Sequence, residues 1–326
     1  MLLLVGAWAL FVISLAGAMA RRGRRKGSLS RSGAIAAFAV GAVHLGCGVQ
    51  YGLTLIFFYL TSSKLTRLGA RRKAQLEEGH TEGGQRSAVL ANSLAACVLA
   101  ALSFLAASRW GGAAAQAQRV ALAGAFLGHY ACCAADTWAS EVGVLSRAPP
   151  RLITTGKRVP IGTNGGVTAL GLGCSAAAGL AVGGTFFASG VAGCALGALT
   201  RGGSLCPRTS GGGTQMALWG PAGLAPLLAV GLVCGVFGSV LDSVLGATLQ
   251  YSGWDAAAAR VVARPQRPRP EGGRGHEAGG GQGYAAVVHV SGLNLLSNDG
   301  VNFLAAALSA ALGAALLVRW SGAVAL

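Results

Sequence analysis

Only ten of the 326 residues are acidic, so each carboxylate beside an apolar stretch carries information about chemistry. The densest group is Ala135-Asp136-Thr137-Trp138-Ala139-Ser140-Glu141-Val142-Gly143, which directly follows an apolar run. Continued as helix, this segment stacks Asp136 with Ser140 and Thr137 with Glu141, giving two adjoining polar rows. Two carboxylates and two hydroxyls so placed suit one divalent cation, with Asp136 and Glu141 as the metal ligands. Such an oxygen set fits Mg²⁺, which binds through one or two carboxylates plus substrate phosphates. The purely structural alternative is a polar, solvated helix end.

About 20 residues on, Arg151-Leu-Ile-Thr-Thr-Gly-Lys157-Arg158-Val-Pro-Ile-Gly162-Thr163-Asn164-Gly165-Gly166 leads into the next apolar run. Backbone amides of a glycine-rich turn ahead of a helix form an anion site, and Lys157 and Arg158 add positive charge, so the segment reads as a phosphate cradle. It is not a Walker A loop, because no Gly-Lys-Ser/Thr follows at the required spacing. A flexible connection between helices is the alternative. Asp242, in Gly238-Ser-Val-Leu-Asp242-Ser243-Val-Leu-Gly246, sits inside an otherwise apolar helix. An ionisable group there is costly and by default a functional-site hypothesis. With its adjacent hydroxyl it resembles the Asp136 cluster in miniature, which suggests a weak internal repeat. Ser297-Asn298-Asp299-Gly300-Val301-Asn302 stands just ahead of the last apolar segment, where capping of the helix by Asn298 or Asp299 is the structural reading. Arg86, after Glu82-Gly83-Gly84-Gln85, is a natural phosphate partner, with an ordinary positive-inside charge as the alternative. No Ser-His-Asp order or His-Glu-x-x-His pattern competes with these clusters, and the five histidines are scattered.

The elements that position these residues are membrane helices. The chain is 53% hydrophobic and 11% charged, with a mean hydropathy of +0.56, against about 25% charged for a soluble globular domain. The net charge of +16 does not indicate nucleic acid, because 21 of the 26 basic residues fall in four segments, 21–31, 64–86, 147–158 and 260–274. These punctuate apolar runs instead of forming one basic face. Lysine and arginine at membrane ends favour the cytoplasm, so the four segments are expected on one side, with an even number of crossings between consecutive ones. The expected architecture is an all-α, polytopic integral membrane helical bundle of about ten helices. It comprises an anchor and basic loop over 1–32, a membrane core over 33–253, a Pro/Gly/Arg-rich disordered loop over 254–292, and a last motif and helix over 293–326. Residues 33–61 form a hairpin broken around His44 to Gln50, 88–107 pair with 119–135, 165–199 split near Gly183-Gly184, and 218–250 form another pair. Leu2 to Ala20, with basic charge after it instead of before it, reads as a retained anchor. The 53 glycines serve first as close-packing surfaces between helices. The eight cysteines show no paired metal spacing and read as small buried hydrophobes.

Six motifs in order now identify a resemblance: Ser62-Ser-Lys-Leu-Thr66, Glu82-Gly-Gly-Gln-Arg86, Ala135 to Gly143, Pro160 to Thr168, Asp242 to Tyr251 and Asn298-Asp-Gly-Val-Asn302. Together they resemble the transmembrane protein 19 family over residues 30 to 320. That family includes the plant phytyl-phosphate kinase of tocopherol synthesis. The Asp-x-x-Ala-Ser-x-x-Gly pattern is more distantly similar to CTP-dependent polyprenol and phytol kinases. The resemblance implies phosphorylation of an isoprenoid monophosphate to its diphosphate, with CTP or ATP as co-substrate and Mg²⁺ as cofactor. On that reading Asp136 and Glu141 hold the metal. Lys157, Arg158 and the turn Gly162, Thr163, Asn164, Gly165 and Gly166 bind nucleotide phosphates. Asp242 and Asp299 orient the cation or acceptor, and Arg86 and Asn302 meet the lipid-phosphate substrate. The partners implied are that substrate and membrane lipids, not nucleic acid, in a plastid envelope or endoplasmic reticulum membrane. Two departures from the family stand out: Ser87-Ala-Val-Leu-Ala-Asn92 replaces its Val-Gln-Val stretch, and the 254–292 insertion is unlike its usual connection. A transporter or lipid-handling protein, with Asp242 on a translocation path between glycine-rich helix breaks, is the competing class. A structural membrane protein without catalysis is the third.

Overall fold

In a computed structural model of the chain, the described residues are 2–69, 84–109, 113–201, 218–256, 258–264 and 287–324. Among them are eight α-helices: α1 (Leu2–Arg25), α2 (Arg31–Cys47), α3 (Val49–Arg67), α4 (Gly84–Arg109), α5 (Ala113–Gly143), α6 (Ala169–Arg201), α7 (Pro221–Leu249) and α8 (Asn298–Val324). Three of these are long and apolar enough to cross a membrane over Ala169–Leu196, Pro221–Leu249 and Asn298–Gly322, and Arg31–Cys47 and Asn92–Ala106 are shorter apolar helices. Large apolar side chains such as Leu94, Phe104, Leu172, Phe237, Phe303 and Leu308 point outward. Their number on the bundle's exterior is what a hydrocarbon solvent accommodates and water does not.

The hairpin over α2 and α3 forms as expected, with its break at Gly48, and α4 pairs with α5. Two expected breaks do not occur. Residues 169–201 run as one helix through Gly183-Gly184, and 221–249 run as one helix that contains Pro226. Eight helices are therefore counted among the described residues, where about ten were expected of the whole chain. The physical reason is that these glycines meet a neighbouring helix instead of interrupting their own. A side chain on Gly179 would strike the Gly231 carbonyl, and one on Gly183 the Leu227 carbonyl. Small residues at such points let backbones touch in a setting where Gly costs a helix little. Among the described residues, each interval between consecutive basic segments holds two helices.

Helix α5 is the hub. It packs against α8, α6, α7, α4 and α3, and its residues from Val120 to Ala135 are almost wholly buried. Gly124 and Gly128 meet the carbonyls of Gly313 and Ser309, which sets α8 antiparallel to α5. An aromatic group fills the centre, with Tyr51 edge-on to Phe126 at 4.7 Å and Phe126 stacked on Phe186 at 5.7 Å. The polar break of the hairpin is satisfied inside. His44 is fully buried, its Nδ1 donates to the Val40 carbonyl at 2.8 Å, and Tyr130 donates its hydroxyl to Nε2 at 2.8 Å. Those partners fix the neutral imidazole with its proton on Nδ1.

Short strands correct the purely helical expectation. Strands β1 (Arg151–Leu152) and β2 (Gly166–Val167) pair antiparallel and close the loop after α5. Strands β3 (Ser252–Asp255), β4 (Arg260–Val262) and β5 (Val288–Ser291) form an antiparallel sheet in the order β4-β3-β5. The flanks of the supposedly disordered 254–292 loop are thus ordered, and residues 257 and 265–286 lie outside the described residues. The reason is local: Tyr251-Ser-Gly-Trp and the β-branched pair Val261-Val262 before the Pro/Arg-rich stretch, and Val288-His-Val290 after it, supply strand-forming residues on either side. Six of the cysteines are free, whereas Cys194 is disulfide-bonded, a departure from the reading of every cysteine as a small hydrophobe.

Candidate active site

The contacts between α5 and α7 decide where the carboxylates meet. Gly128 faces Cys234, and a side chain on Gly238 would strike Cys132. Both contacts share one parallel register, and carrying it one turn further sets Asp136 opposite Asp242. Gly235, Gly238 and Asp242 recur at i, i+3 and i+7, one face of α7. Two small residues therefore draw the helices together, and the next position on that face is charged. Asp136 and Asp242 each stand seven residues before the end of their helix, Gly143 and Leu249 respectively, about 10 Å along the axis. Asp136 and Asp242 thus take equivalent positions on two parallel helices.

The two carboxylates line one small cleft together with Asn92, Thr137, Asn302, Cys132 and Cys133. Asn92 enters from the first part of α4, and Asn302 lies in the second turn of α8. Asn302 is delivered by the chain ahead of α8, where the amides of Leu293 and Leu295 donate to the Thr248 and Leu249 carbonyls at 2.8 and 3.0 Å. These bonds satisfy the last carbonyls of α7 and tie the start of α8 to the end of α7. One oxygen is left over: Asp242 Oδ2 is buried with no hydrogen-bond partner among the described residues. An orphan carboxylate oxygen in a buried cleft is costly and calls for a cation or a proton donor. Thr137 donates its hydroxyl to the Cys133 carbonyl at 2.7 Å, which leaves that oxygen's lone pairs toward other groups.

The other sequence-derived residues distribute themselves around this cleft. Glu141 does not line it. Five residues along a helix is about 140° of rotation from Asp136, so Glu141 turns to α3, where Thr66 donates its hydroxyl to Oε1 at 2.6 Å. Asp242 occupies the place beside Asp136 in which Glu141 was expected. Ser140 donates to the Thr137 carbonyl at 3.1 Å. Asp299 lies in the first turn of α8 outside the cleft lining, and the helix is capped by Ser297, whose hydroxyl accepts from the Gly300 amide at 3.3 Å, instead of by Asn298 or Asp299. Arg86 falls in the opening turn of α4, its side chain outside the described residues, as are Glu82 and Gly83.

The glycine-rich turn packs against the end of α7. Asn164 donates its amide nitrogen to Ser252 Oγ at 3.0 Å and its side-chain amide to the Tyr251 carbonyl at 3.1 Å. Gly165 adopts a φ of 75°, and a side chain there would strike the Ser243 carbonyl and Ala247. The turn is thereby held beside the residue following Asp242. The amides of Thr163 and Gly166 donate to the Pro160 and Thr163 carbonyls at 3.2 and 2.9 Å, so with Asn164 three of the amides expected to cradle an anion serve the turn's own shape. Gly162, with a φ of 89°, bends the exposed arm on which Lys157 and Arg158 project into solvent. Thr137 belongs to the polar cluster that the sequence singles out, whereas Asn92, legible there only as a polar residue near the start of α4 and given no role, proves to be a wall residue of the cleft.

Comparison with known proteins agrees with this architecture. Protein PGR of Arabidopsis thaliana is 37% identical over 305 residues, covering 90% of this chain and 91% of that protein. An uncharacterized membrane protein of Methanocaldococcus jannaschii is 31% identical over 144 residues, 44% of this chain and 55% of its own length. No solved structure matches. The profile described as integral membrane protein DUF92 matches residues 14–310, and with a cleft between membrane helices already on view the chain belongs to that family of integral membrane proteins.

Proposed function

We propose that the chain is a nucleotide-dependent lipid-phosphate kinase, moving the terminal phosphoryl group of CTP or ATP onto an isoprenoid monophosphate such as phytyl phosphate. The bond between the nucleotide's β-oxygen and γ-phosphorus breaks, an acceptor phosphate oxygen bonds to that phosphorus, and nucleoside diphosphate leaves with the lipid diphosphate as product. The observation that carries this reading is the pairing of Asp136 and Asp242 on one oxygen-lined cleft near the basic end of the bundle. The resemblance to phytyl-phosphate kinases supports the reaction class.

The residues present fit Mg²⁺. The cleft offers two carboxylates, an orphan Oδ2 and neutral oxygens of Asn92, Asn302 and Thr137. MgII sites of this type keep open positions for phosphate oxygens. When bound there, the ion neutralises charge on the transferring phosphoryl group. Asp136 and Asp242 would hold it from two helices, and Asn302 would orient the acceptor beside it. Lys157 and Arg158 supply cations for the nucleotide phosphates from the exposed arm, and Arg86 serves the acceptor phosphate. Asp299 stands at the entrance of α8, and Glu141, through Thr66, fixes α3 against α5. The broken-helix basis of the transporter alternative is weakened by the continuity of α6 and α7.

The test uses purified protein in detergent with Mg²⁺, CTP or ATP, and phytyl or geranylgeranyl phosphate. Lipid diphosphate is expected, and Asp136→Asn and Asp242→Asn should each lower turnover by about 100-fold or more, the scale of losing one main electrostatic contact in a transition state. Glu141→Gln should be milder. Absence of diphosphate with every nucleotide and acceptor overturns the proposal. Full activity of Asp242→Asn with loss in Glu141→Gln would return the metal to the Asp136 and Glu141 pair.

A further inference from the structure

A second concavity, of about 350 Å³, lies between the C-terminal ends of α1 and α3. Among the described residues its lining holds four cations, Arg22, Lys26, Lys64 and Arg67, and no carboxylate. Its wall is apolar and aromatic, from Leu60 and Tyr59. The site is built by internal bonds. Arg67 Nη2 donates to the Lys26 carbonyl at 3.0 Å, and the Ser28 hydroxyl, which donates to the Gly23 carbonyl at 3.1 Å, lies 3.3 Å from that of Tyr59. These contacts hold the α1 end over the α3 end and keep the four cations around one opening. Gly23 admits the fit, since a side chain there would meet Leu29 and the Tyr59 hydroxyl.

The geometry points to a site for a lipid-borne phosphate, an anionic phospholipid or lipid monophosphate held by its headgroup at the basic end of the bundle. Four like charges at one opening repel each other unless an anion is shared, and basic pockets between membrane helices at the cytoplasmic side suit phosphate headgroups. The tail has a path as well. Leu53 and Leu60 are exposed and stand seven residues apart on one face of α3, leading from the opening toward the middle of the bundle's outer surface. Free phosphate would use the cations and leave that stripe idle. The concavity shares no lining residue with the Asp136 and Asp242 cleft and contains no acid to hold a metal. It is a binding site and not a second catalytic one.

Binding is read without turnover, so failure of the kinase assay leaves this site standing and the reverse also holds. Protein purified in an uncharged detergent is titrated with short-chain phosphatidic acid, short-chain phosphatidylcholine and inorganic phosphate, and thermal unfolding is followed. Phosphatidic acid should raise the transition temperature saturably. In the double variant Arg22→Gln and Lys64→Gln its apparent affinity should fall by about tenfold or more, as expected from two lost headgroup cations. Arg67 is left intact because it braces Lys26. The charge-conserving variant Arg22→Lys and Lys64→Arg should retain the shift, which separates lost charge from lost fold. Unchanged affinity in the double glutamine variant overturns the site, and so does an equal shift with phosphatidylcholine. An equal shift with inorganic phosphate overturns the lipid-borne source.

Discussion

At the scale of single residues, the carboxylate partner of Asp136 is set by rotation about a helix axis. Residues four apart share a face and residues five apart do not, so Ser140 lies near the row of Asp136 while Glu141 is turned to Thr66. A second residue-scale feature is the buried pair of His44 and Tyr130. Tyr130→Phe keeps the ring contacts with Phe126 and Phe58 but leaves His44 Nε2 without its donor at 2.8 Å. Interhelical hydrogen bonds in membranes average about 0.6 kcal/mol and reach about 1.7, so the variant should lose roughly 1 kcal/mol. Thermal unfolding in detergent should show a modest drop in transition temperature, with folding retained.

At the scale of elements, glycine placement sets how closely helices approach and therefore where the cleft forms. Gly128→Val would push a side chain into the Ser309 carbonyl and Cys234, and overpacking of this kind costs about 1–3 kcal/mol. Because Gly128 lies two turns from Asp136 on the α5 face shared with α7 and α8, the variant should lower both thermal stability and activity. Gly184→Ala is the control. Its added carbon would meet only Leu228 at 3.6 Å, an ordinary contact, and the transition temperature should stay within about 1 °C to 2 °C of the parent, the range of a neutral helix substitution. The glycine-rich turn gives a further prediction. Gly165→Ala forces a left-handed backbone on alanine, at about 1 kcal/mol, and adds a clash with Ser243. The turn should detach from α7, and trypsin should cut after Lys157 or Arg158 several-fold faster than in the parent, read by mass spectrometry.

At the scale of the whole molecule, the described parts of the basic segments gather at one end. Arg67 bonds to Lys26, Thr66 to Glu141, and Asn164 to the chain after α7. These contacts link the C-terminal ends of α1, α3, α5 and α7 in turn. One-sided gathering of charge is what an even number of crossings between basic segments requires. In a background without native cysteines, Ala148→Cys and Ala263→Cys should react with an impermeant maleimide from the same side of sealed vesicles. Ala222→Cys, beside the start of α7, should react from the opposite side. Labelling of all three from one side would refute the topology.

Membrane character, the α2 and α3 hairpin and the choice of Asp136, Asp242 and Asn302, which line one cleft, are legible in the sequence, because apolar length and polar residues at the ends of, or inside, apolar helices are one-dimensional signals. Helix continuity at Gly183 and within residues 221–249 is not, since a glycine that breaks a helix and one that admits a neighbour look alike until the neighbour is present. The carboxylate pairing belongs to the tertiary structure for the same reason. Local spacing favours Asp136 with Glu141, but the parallel register of α5 on α7, set by Gly128, Gly235 and Gly238, brings Asp242 to Asp136 across more than a hundred residues. The sequence by itself determined that there is a bundle with acids near its basic end. Only packing decided which acids share a cleft, because that depends on the distance and rotation between helices far apart in the chain.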